Sequence, residues 1–358
     1  MSKDYAEVLK KIDDINKNQK KINIMEVCGT HTHAIGKFAL RQLLNENINL
    51  ISGPGCPVCV TPDIYIDYIY GLSLKKEIII ATYGDMIRVP GSTPDKTLEK
   101  AKALGAIVKI IYSSIDALEI AEKNPDKLVV FLGIGFETTT PATAIAILEA
   151  QKRSLGNFYV LSAHKIVEPV MRLLLEDEEL NLDGFLIPGH VAAIIGETGF
   201  KFMEEYNCTG VVAGFSLEEI VEALHKLVIN INVKNNKIFN CYENLVKKEG
   251  NITAVNLINR VFNKKNDFWR GMGLIENSGY KIRQEYHAFD IENLYPMDIE
   301  THSKKNGCRC GEVLKGKIKP TQCPLFKGKC TPDYPVGPCM VSSEGTCAAY
   351  FRYHGGDI

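Results

Sequence analysis

The sequence predicts an α/β protein: two doubly wound domains with mainly parallel sheets, then a Cys-rich, loop-rich C-terminal module. Two observations carry this reading. From residue 22 to about 227, short apolar runs alternate with amphipathic stretches of helical length, the pattern of βαβ units. Beyond Gly271 the alternation stops and Gly, Pro and Cys take over, with six of the eleven cysteines between Cys308 and Cys347. Residues 1–120 and 121–230 read as the two α/β domains and 231–358 as the C-terminal region, with the polar, Asn/Lys-rich stretch 232–237 as a joint.

Taken in order, residues 1–21 are charged throughout and read as an amphipathic helix, without the apolar core of a signal peptide. The run 22–27 is the first strand, a helical pattern covers 34–45, and 48–51 is the second strand. Thr61 and Pro62 suit the N-cap and first position of a helix that runs to residue 72. A third strand at 78–81 is followed by a helix opened by Thr93-Pro94 and ending near 104, then a strand at 107–112. Strands at 128–132, 158–161, 184–187 and 211–213 follow. Helices at 142–152, opened by Thr140-Pro141, at 167–175 and at 217–227 complete the alternation.

Charge is balanced, 42 basic against 43 acidic side chains for a net of −1, which argues against nucleic acid or anionic membrane as a partner. No apolar run approaches the roughly 20 residues of a membrane span. The expected location is the cytoplasm, where eleven cysteines point to metal binding or redox chemistry rather than structural disulfides.

Nearly every unusual polar cluster comes directly after a strand. These are Cys28-Gly29-Thr30-His31, Cys56/Cys59, Tyr83-Gly84-Asp85, Gly135-Phe136-Glu137, Ala163-His164-Lys165 and Pro188-Gly189-His190. Open α/β sheets bind ligands outside the carboxyl ends of their strands, so two facing sheets would gather these clusters into one cleft. Gly133-Ile134-Gly135-Phe136-Glu137-Thr138 lacks the third glycine of a dinucleotide fingerprint, and no acidic residue ends the next strand. That excludes NAD, and no Walker A sequence is present.

The loop Gly53-Pro54-Gly55-Cys56-Pro57-Val58-Cys59 holds two sulfurs in a turn stiffened by proline and thinned by glycine. A CxxC loop binds a metal or cycles between dithiol and disulfide, and zinc would need a matching second pair nearby, which is missing. Cys28 with His31 and His33 has the make-up of a nucleophile–base pair, although for His33 a role in bracing the loop is the preferred reading. Thiolates at strand ends near helix N-termini are expected to have lowered pKa values. Cys28, Cys56 and Cys59 together would offer iron three soft ligands and leave its other positions open. Glu137, His190 and Asp85 are candidates for contacts to that site or for proton delivery, with loop bracing as the alternative. Cys208 and Cys241 fit no spacing pattern.

The C-terminal cysteines differ in kind. A loop-rich segment without an apolar core needs a staple, and paired CxxC units of a zinc ribbon are absent. The spacing Cys308-x14-Cys323-x6-Cys330-x16-Cys347 suits four thiolates on a [4Fe–4S] cluster. An iron–sulfur module is therefore expected here.

Cys-Gly-Thr-His at 28–31, Gly-Pro-Gly-Cys-Pro-Val-Cys at 53–59, Gly-Phe-Glu-Thr-Thr-Thr-Pro at 135–141 and Pro-Gly-His-Val at 188–191 all resemble the HypD family of hydrogenase maturation proteins. So do Arg-Cys-Gly-Glu-Val-Leu at 309–314 and Met-Val-Ser-Ser-Glu-Gly-Thr-Cys-Ala-Ala-Tyr at 340–350. The likeness runs from about residue 20 to the end. It implies a scaffold that works with a HypC-type chaperone to assemble the Fe(CN)2CO unit of [NiFe]-hydrogenase. Cyanide would come from a HypE-type donor and the product would pass to the hydrogenase large-subunit precursor. It further implies that Cys28, Cys56 and Cys59 serve the iron and that the C-terminal cysteines hold a [4Fe–4S] cluster, with the family's spacing favouring Cys308 over Cys310. Two other readings stay open: a stand-alone iron–sulfur thiol–disulfide oxidoreductase, which needs only Cys56 and Cys59, and a zinc-stapled interaction protein.

Overall fold

In the computed structural model, residues 3–297 and 307–353 are described. Among the described residues nine parallel strands make two sheets: β1 (Ile22–Glu26), β2 (Ile48–Ser52), β3 (Ile78–Thr82), β4 (Ile107–Ile110), β5 (Leu128–Gly133), β6 (Phe158–Ser162), β7 (Gly184–Pro188), β8 (Thr209–Ala213) and β9 (Ile238–Asn240). The first sheet has the order β2-β1-β7-β8-β9 and the second β4-β3-β5-β6. Mainly parallel α/β architecture is thus present twice, with the Cys-rich segment after it.

Sheet order departs from chain order. β3 and β4 pair with β5 and β6 across residue 120, while the first sheet joins β1 and β2 to β7–β9 from the far side of the second. The physical reason is that β1 is buried and needs a neighbour on each side; β2 supplies one and β7 the other. In both sheets the order reverses once, at β1/β7 and at β3/β5, the switch points where such folds bind ligands.

The strand residues alternate with period two between cores. Ile78, Ile80, Val130 and Leu132 join Met25, Phe185, Ile187 and Val212 in a central core between the sheets. Ile79, Ala81, Val129 and Phe131 face the outer core of the second sheet, and Ile22, Ile24, Leu186 and Val211 that of the first. Strands buried on both faces read as near-continuous apolar runs, which is why they were legible.

Several expected boundaries shift. The first helix spans Lys3–Asn16, and the first two residues of the expected segment lie outside the described ones. The helix expected from residue 34 starts at Gly29, with Cys28 as its N-cap residue, so His31 and His33 are helical. Pro62 is the N-cap residue of Asp63–Ser73, one position earlier in role than expected. The helix expected from Thr93 begins at Leu98, capped by the Thr97 hydroxyl. Unanticipated were helices Ser114–Lys123 and Ile252–Val261, strand β9, and an antiparallel hairpin of β10 (Phe262–Trp269) and β11 (Gly273–Ile282). The centre of β10, Asn-Lys-Lys-Asn-Asp, is too polar to show a strand pattern.

Candidate functional site

β1 leads into Cys28, and β2 leads into the Gly53–Cys59 loop beside it. Gly53 N–H donates to Glu26 O at 2.7 Å and Gly29 N–H to Gly55 O at 3.2 Å. A Cβ on Gly55 would run into the Cys28 backbone, so only glycine lets the loop lie this close. The loop then forms a short helix, Pro57–Val60, with Cys56 at its N-cap and its Sγ accepting from Cys59 N–H at 3.2 Å. Cys56 and Cys59 are joined as a disulfide with Cα atoms 5.2 Å apart. The fold therefore places Cys28 against the CxxC loop at the switch point of the first sheet.

Beneath Cys28 lies Glu26, which the sequence reading missed. It is 1% exposed; Oε2 accepts from Cys28 N–H at 3.1 Å and Oε1 from the Thr32 hydroxyl, with the Arg41 guanidinium 3.9 Å away. Burial pushes its pKa up to about 7 against these contacts. A glutamate closing a mostly apolar strand was the available signal. The expectation of a lowered Cys28 pKa is overturned: burial pushes the thiol up to about 12, outweighing the backbone donors of His31 and Thr30.

His31 is fully buried. Its Nε2 donates to Gly214 O at 2.8 Å, its Nδ1 has no protein partner, and burial lowers its pKa to about 4. The Phe215 ring lies between two imidazoles, 4.7 Å from His31 and 4.1 Å from His190, the latter following β7. His33 instead packs edge-on against Tyr353, in keeping with a bracing role. Asp85, after β3, accepts on one oxygen from the Ser342 hydroxyl, Ser343 N–H and the Ser343 hydroxyl at 2.9–3.0 Å. The next residue, Glu344, lies so close to Gly29 that any side chain there would collide. Asp85 thus anchors the C-terminal segment that covers Cys28.

Glu137 belongs to the second sheet. It is 2% exposed, its Oε1 accepts Val167 N–H at 2.9 Å, and its Oε2 is buried without a partner. Burial raises its pKa to about 7. Among the described residues its side chain makes no hydrogen bond to Cys28 or the CxxC loop. The connection is indirect: Phe136 stacks on Trp269 at 6.0 Å, and the following Arg270 binds the CxxC helix.

All six C-terminal cysteines line one almost wholly apolar pocket, with Val313, Leu325, Phe326 and Met340. Cys310 and Cys339 are buried in contact, their sulfurs 2.9 Å apart. Hydrogen bonds from Cys308 and Cys339, with the Arg270 guanidinium, hold the Cys310 pKa well below that of an ordinary thiol. The sulfurs are collapsed on one another; among the described residues no three His, Cys, Asp or Glu side chains surround a point as ready ion ligands. The soft, multi-thiol donor set in an apolar wall nevertheless fits a cluster. Helix Pro338–Val341, which carries Cys339, packs on the CxxC helix Pro57–Val60. Cys208 is buried and Cys241 half-buried, and neither lines this pocket.

A family model described as "HypD: Hydrogenase formation hypA family" matches residues 3–354. The chain is 44% identical over 337 residues to the hydrogenase maturation factor HypD of Escherichia coli K12, covering 94% of this chain and 90% of that protein. It is 42% identical to the hydrogenase maturation factor HypD2 of Bradyrhizobium diazoefficiens, with the same coverage of 94% and 90%. A putative hydrogenase expression/formation protein of Methanocaldococcus jannaschii is 41% identical over 98% of both chains.

Proposed function

Because the chain belongs to the HypD family of hydrogenase maturation factors, we propose that it is the scaffold on which the Fe(CN)2CO unit of [NiFe]-hydrogenase is assembled. The observation that carries this is the placement of Cys28 against the Cys56–Cys59 loop at a sheet switch point. With the disulfide opened, three thiolates would hold iron as the substrate being built and leave positions for cyanide and carbon monoxide. Cys28, buried as a neutral thiol, loses its proton when iron binds, since metal ligation requires the thiolate. Glu26, accepting the Cys28 amide, fixes that residue from below, and the His31–Phe215–His190 stack walls the site on the β7 side. Partners in this reading are a HypC-type chaperone, a HypE-type cyanide donor and the large-subunit precursor, in the cytoplasm. No helix among the described residues is long and apolar enough to cross a membrane.

Cys308, Cys323, Cys330 and Cys347 would hold a [4Fe–4S] cluster, which supplies one-electron storage when bound. This leaves Cys310 and Cys339 as a dithiol of their own, with the helix of Cys339 packed on the CxxC helix. Their exchange with the Cys56–Cys59 disulfide would free the iron ligands.

The disulfide itself favours the second reading, a stand-alone thiol–disulfide oxidoreductase. The discriminating experiment is metal and sulfide analysis of anaerobically purified protein, alone and with a HypC-type partner. Iron in excess of the cluster, with infrared bands in the cyanide and carbonyl region, supports the scaffold. Cluster iron only, with no such bands in the complex, supports the reductase.

A further inference from the structure

The tip of the β10–β11 hairpin sits between the two sulfur pairs. Arg270 N–H donates to Val60 O at 2.7 Å, its Nε to Thr61 O at 2.9 Å, and its Nη1 to the Asp63 carboxylate. One residue thereby binds three positions of the segment that follows Cys59. On the other side, Gly271, in the left-handed region at φ +74°, lies backbone to backbone against Gly311, next to Cys310, so neither position tolerates a Cβ. Trp269, 1% exposed and stacked on Phe136, seats the tip in the central core. The remaining guanidinium nitrogen, Nη2, is buried with no hydrogen-bond partner. A buried unpaired donor is costly and calls for a partner in some state of the molecule.

We propose that Arg270 is a positioning residue for dithiol exchange: it holds the CxxC helix in register with Cys310 and offers Nη2 to the sulfur released when the Cys56–Cys59 bond opens. This rests on the thiol-exchange reading above. In the exchange, the Cys310 thiolate attacks one sulfur of Cys56–Cys59. That S–S bond breaks, a mixed disulfide forms, and the electron pair leaves on the other sulfur as a thiolate. Cys339 then attacks Cys310, closing Cys310–Cys339 and releasing the second thiolate. Two electrons and two protons pass from the Cys310/Cys339 dithiol to the Cys56/Cys59 pair, and no outside oxidant is required. Lysine would keep the charge but not the fork that spans Thr61 and Asp63.

The test is trapping of the mixed disulfide in the full-length protein. Cys339→Ser removes the thiol that resolves it, so a peptide bearing Cys310 should be found joined to the Cys56/Cys59 peptide by mass spectrometry under non-reducing conditions. Adding Arg270→Gln to Cys339→Ser should cut the yield about tenfold, more than its loss of melting temperature accounts for, with Arg270→Lys recovering part of it, while iron and sulfide content match the Cys339→Ser parent. Equal yields in all three variants would overturn the role of Arg270 and leave the exchange standing. No mixed disulfide in Cys339→Ser alone would overturn both. A yield that falls only in step with melting temperature or iron content would reduce Arg270 to a structural residue and overturn the proposal.

Discussion

The sulfurs of Cys310 and Cys339 stand 2.9 Å apart although 29 positions separate them in the chain. Two short helices, Cys310–Leu314 and Pro338–Val341, bring them together, and both residues are buried. In the proposed reading, the six C-terminal cysteines divide into this pair and four cluster ligands. Replacing Cys323, Cys330 or Cys347 by Ala should abolish iron–sulfur absorbance and loosen the segment around it. Replacing Cys310 or Cys339 by Ser should leave iron and sulfide near wild-type content and instead stop the Cys56–Cys59 disulfide from being reduced. Visible absorbance and thiol counting after anaerobic reduction check both halves. Full cluster content in all three Ala variants would refute the assignment.

Close approach of two loops gives the second prediction. Because a Cβ at residue 55 would meet the Cys28 backbone, Gly55→Ala must push the CxxC loop away or strain it. Overpacking of this kind costs about 1–3 kcal/mol. The urea midpoint should fall accordingly, and iron retention should fall further than the stability loss accounts for, since the distance between Cys28 and Cys56/Cys59 changes. Gly71→Ala, with open space around the added carbon, is the matched control and should do neither.

Lys165 and Asp267 form an ion pair at 2.6 Å with both side chains nearly inaccessible, and Lys165 also donates to Phe268 O at 2.9 Å. Tyr65 and Lys265 complete the network around Asp267. It pins the hairpin to the strand-end edge of the second sheet and so places Trp269 and Arg270. Asp267→Asn leaves a buried ammonium without its counter-charge and should cost about 3–5 kcal/mol. Burial holds the Lys165 pKa down to about 8, from an ordinary 10.5, despite Asp267. Between these values the unfolded chain binds a proton that the folded chain does not, so this lysine's contribution makes folding stability rise with pH from about 8. The rise is at most about 1.4 kcal/mol per pH unit. Tyr65, whose pKa burial raises well above 10, opposes it from pH 10 upward. The stability difference between wild type and Lys165→Met should therefore shift in favour of wild type from pH 8 to 10, as read by urea unfolding. No shift would place the Lys165 pKa outside that window.

Legibility followed burial. Ile78–Thr82 and Gly184–Pro188 are buried along their length, so their apolar runs stood out, and the strand-end clusters could be found without any side-chain geometry. The βα pattern suggested one cleft for the clusters of both sheets; in the first sheet Cys28 lies against the CxxC loop, and His31 and His190 share the Phe215 ring. Asp85 and Glu137 did not join it directly, because each is turned toward a bracing partner, the Ser342–Ser343 turn and the Val167 amide. The β10–β11 hairpin escaped because its burial depends on Lys165 and Asp267 neutralising each other, which no periodicity reports. Cys28 acidity was misjudged for a related reason: the strand-end position was visible, but the desolvation that dominates it was not.

Scaffold and reductase differ most sharply at Cys28. A reductase needs only the Cys56–Cys59 pair, and Cys28, a buried thiol pushed to about pKa 12, would be a poor nucleophile in it. A scaffold needs Cys28 as the third soft ligand, in which case the buried neutral thiol is the metal-free form of an iron anchor. Cys28→Ala removes one sulfur and keeps the Gly29–Gly55 hydrogen bond and the Gly55 packing, since both run through backbone. The variant should fold, keep its iron–sulfur absorbance and still open the Cys56–Cys59 disulfide. In complex with a HypC-type partner it should lose the infrared bands of iron-bound cyanide and carbon monoxide, and hydrogenase maturation with them. Bands at wild-type strength in Cys28→Ala would show that Cys28 anchors nothing, and the redox role of Cys56 and Cys59 would then stand alone.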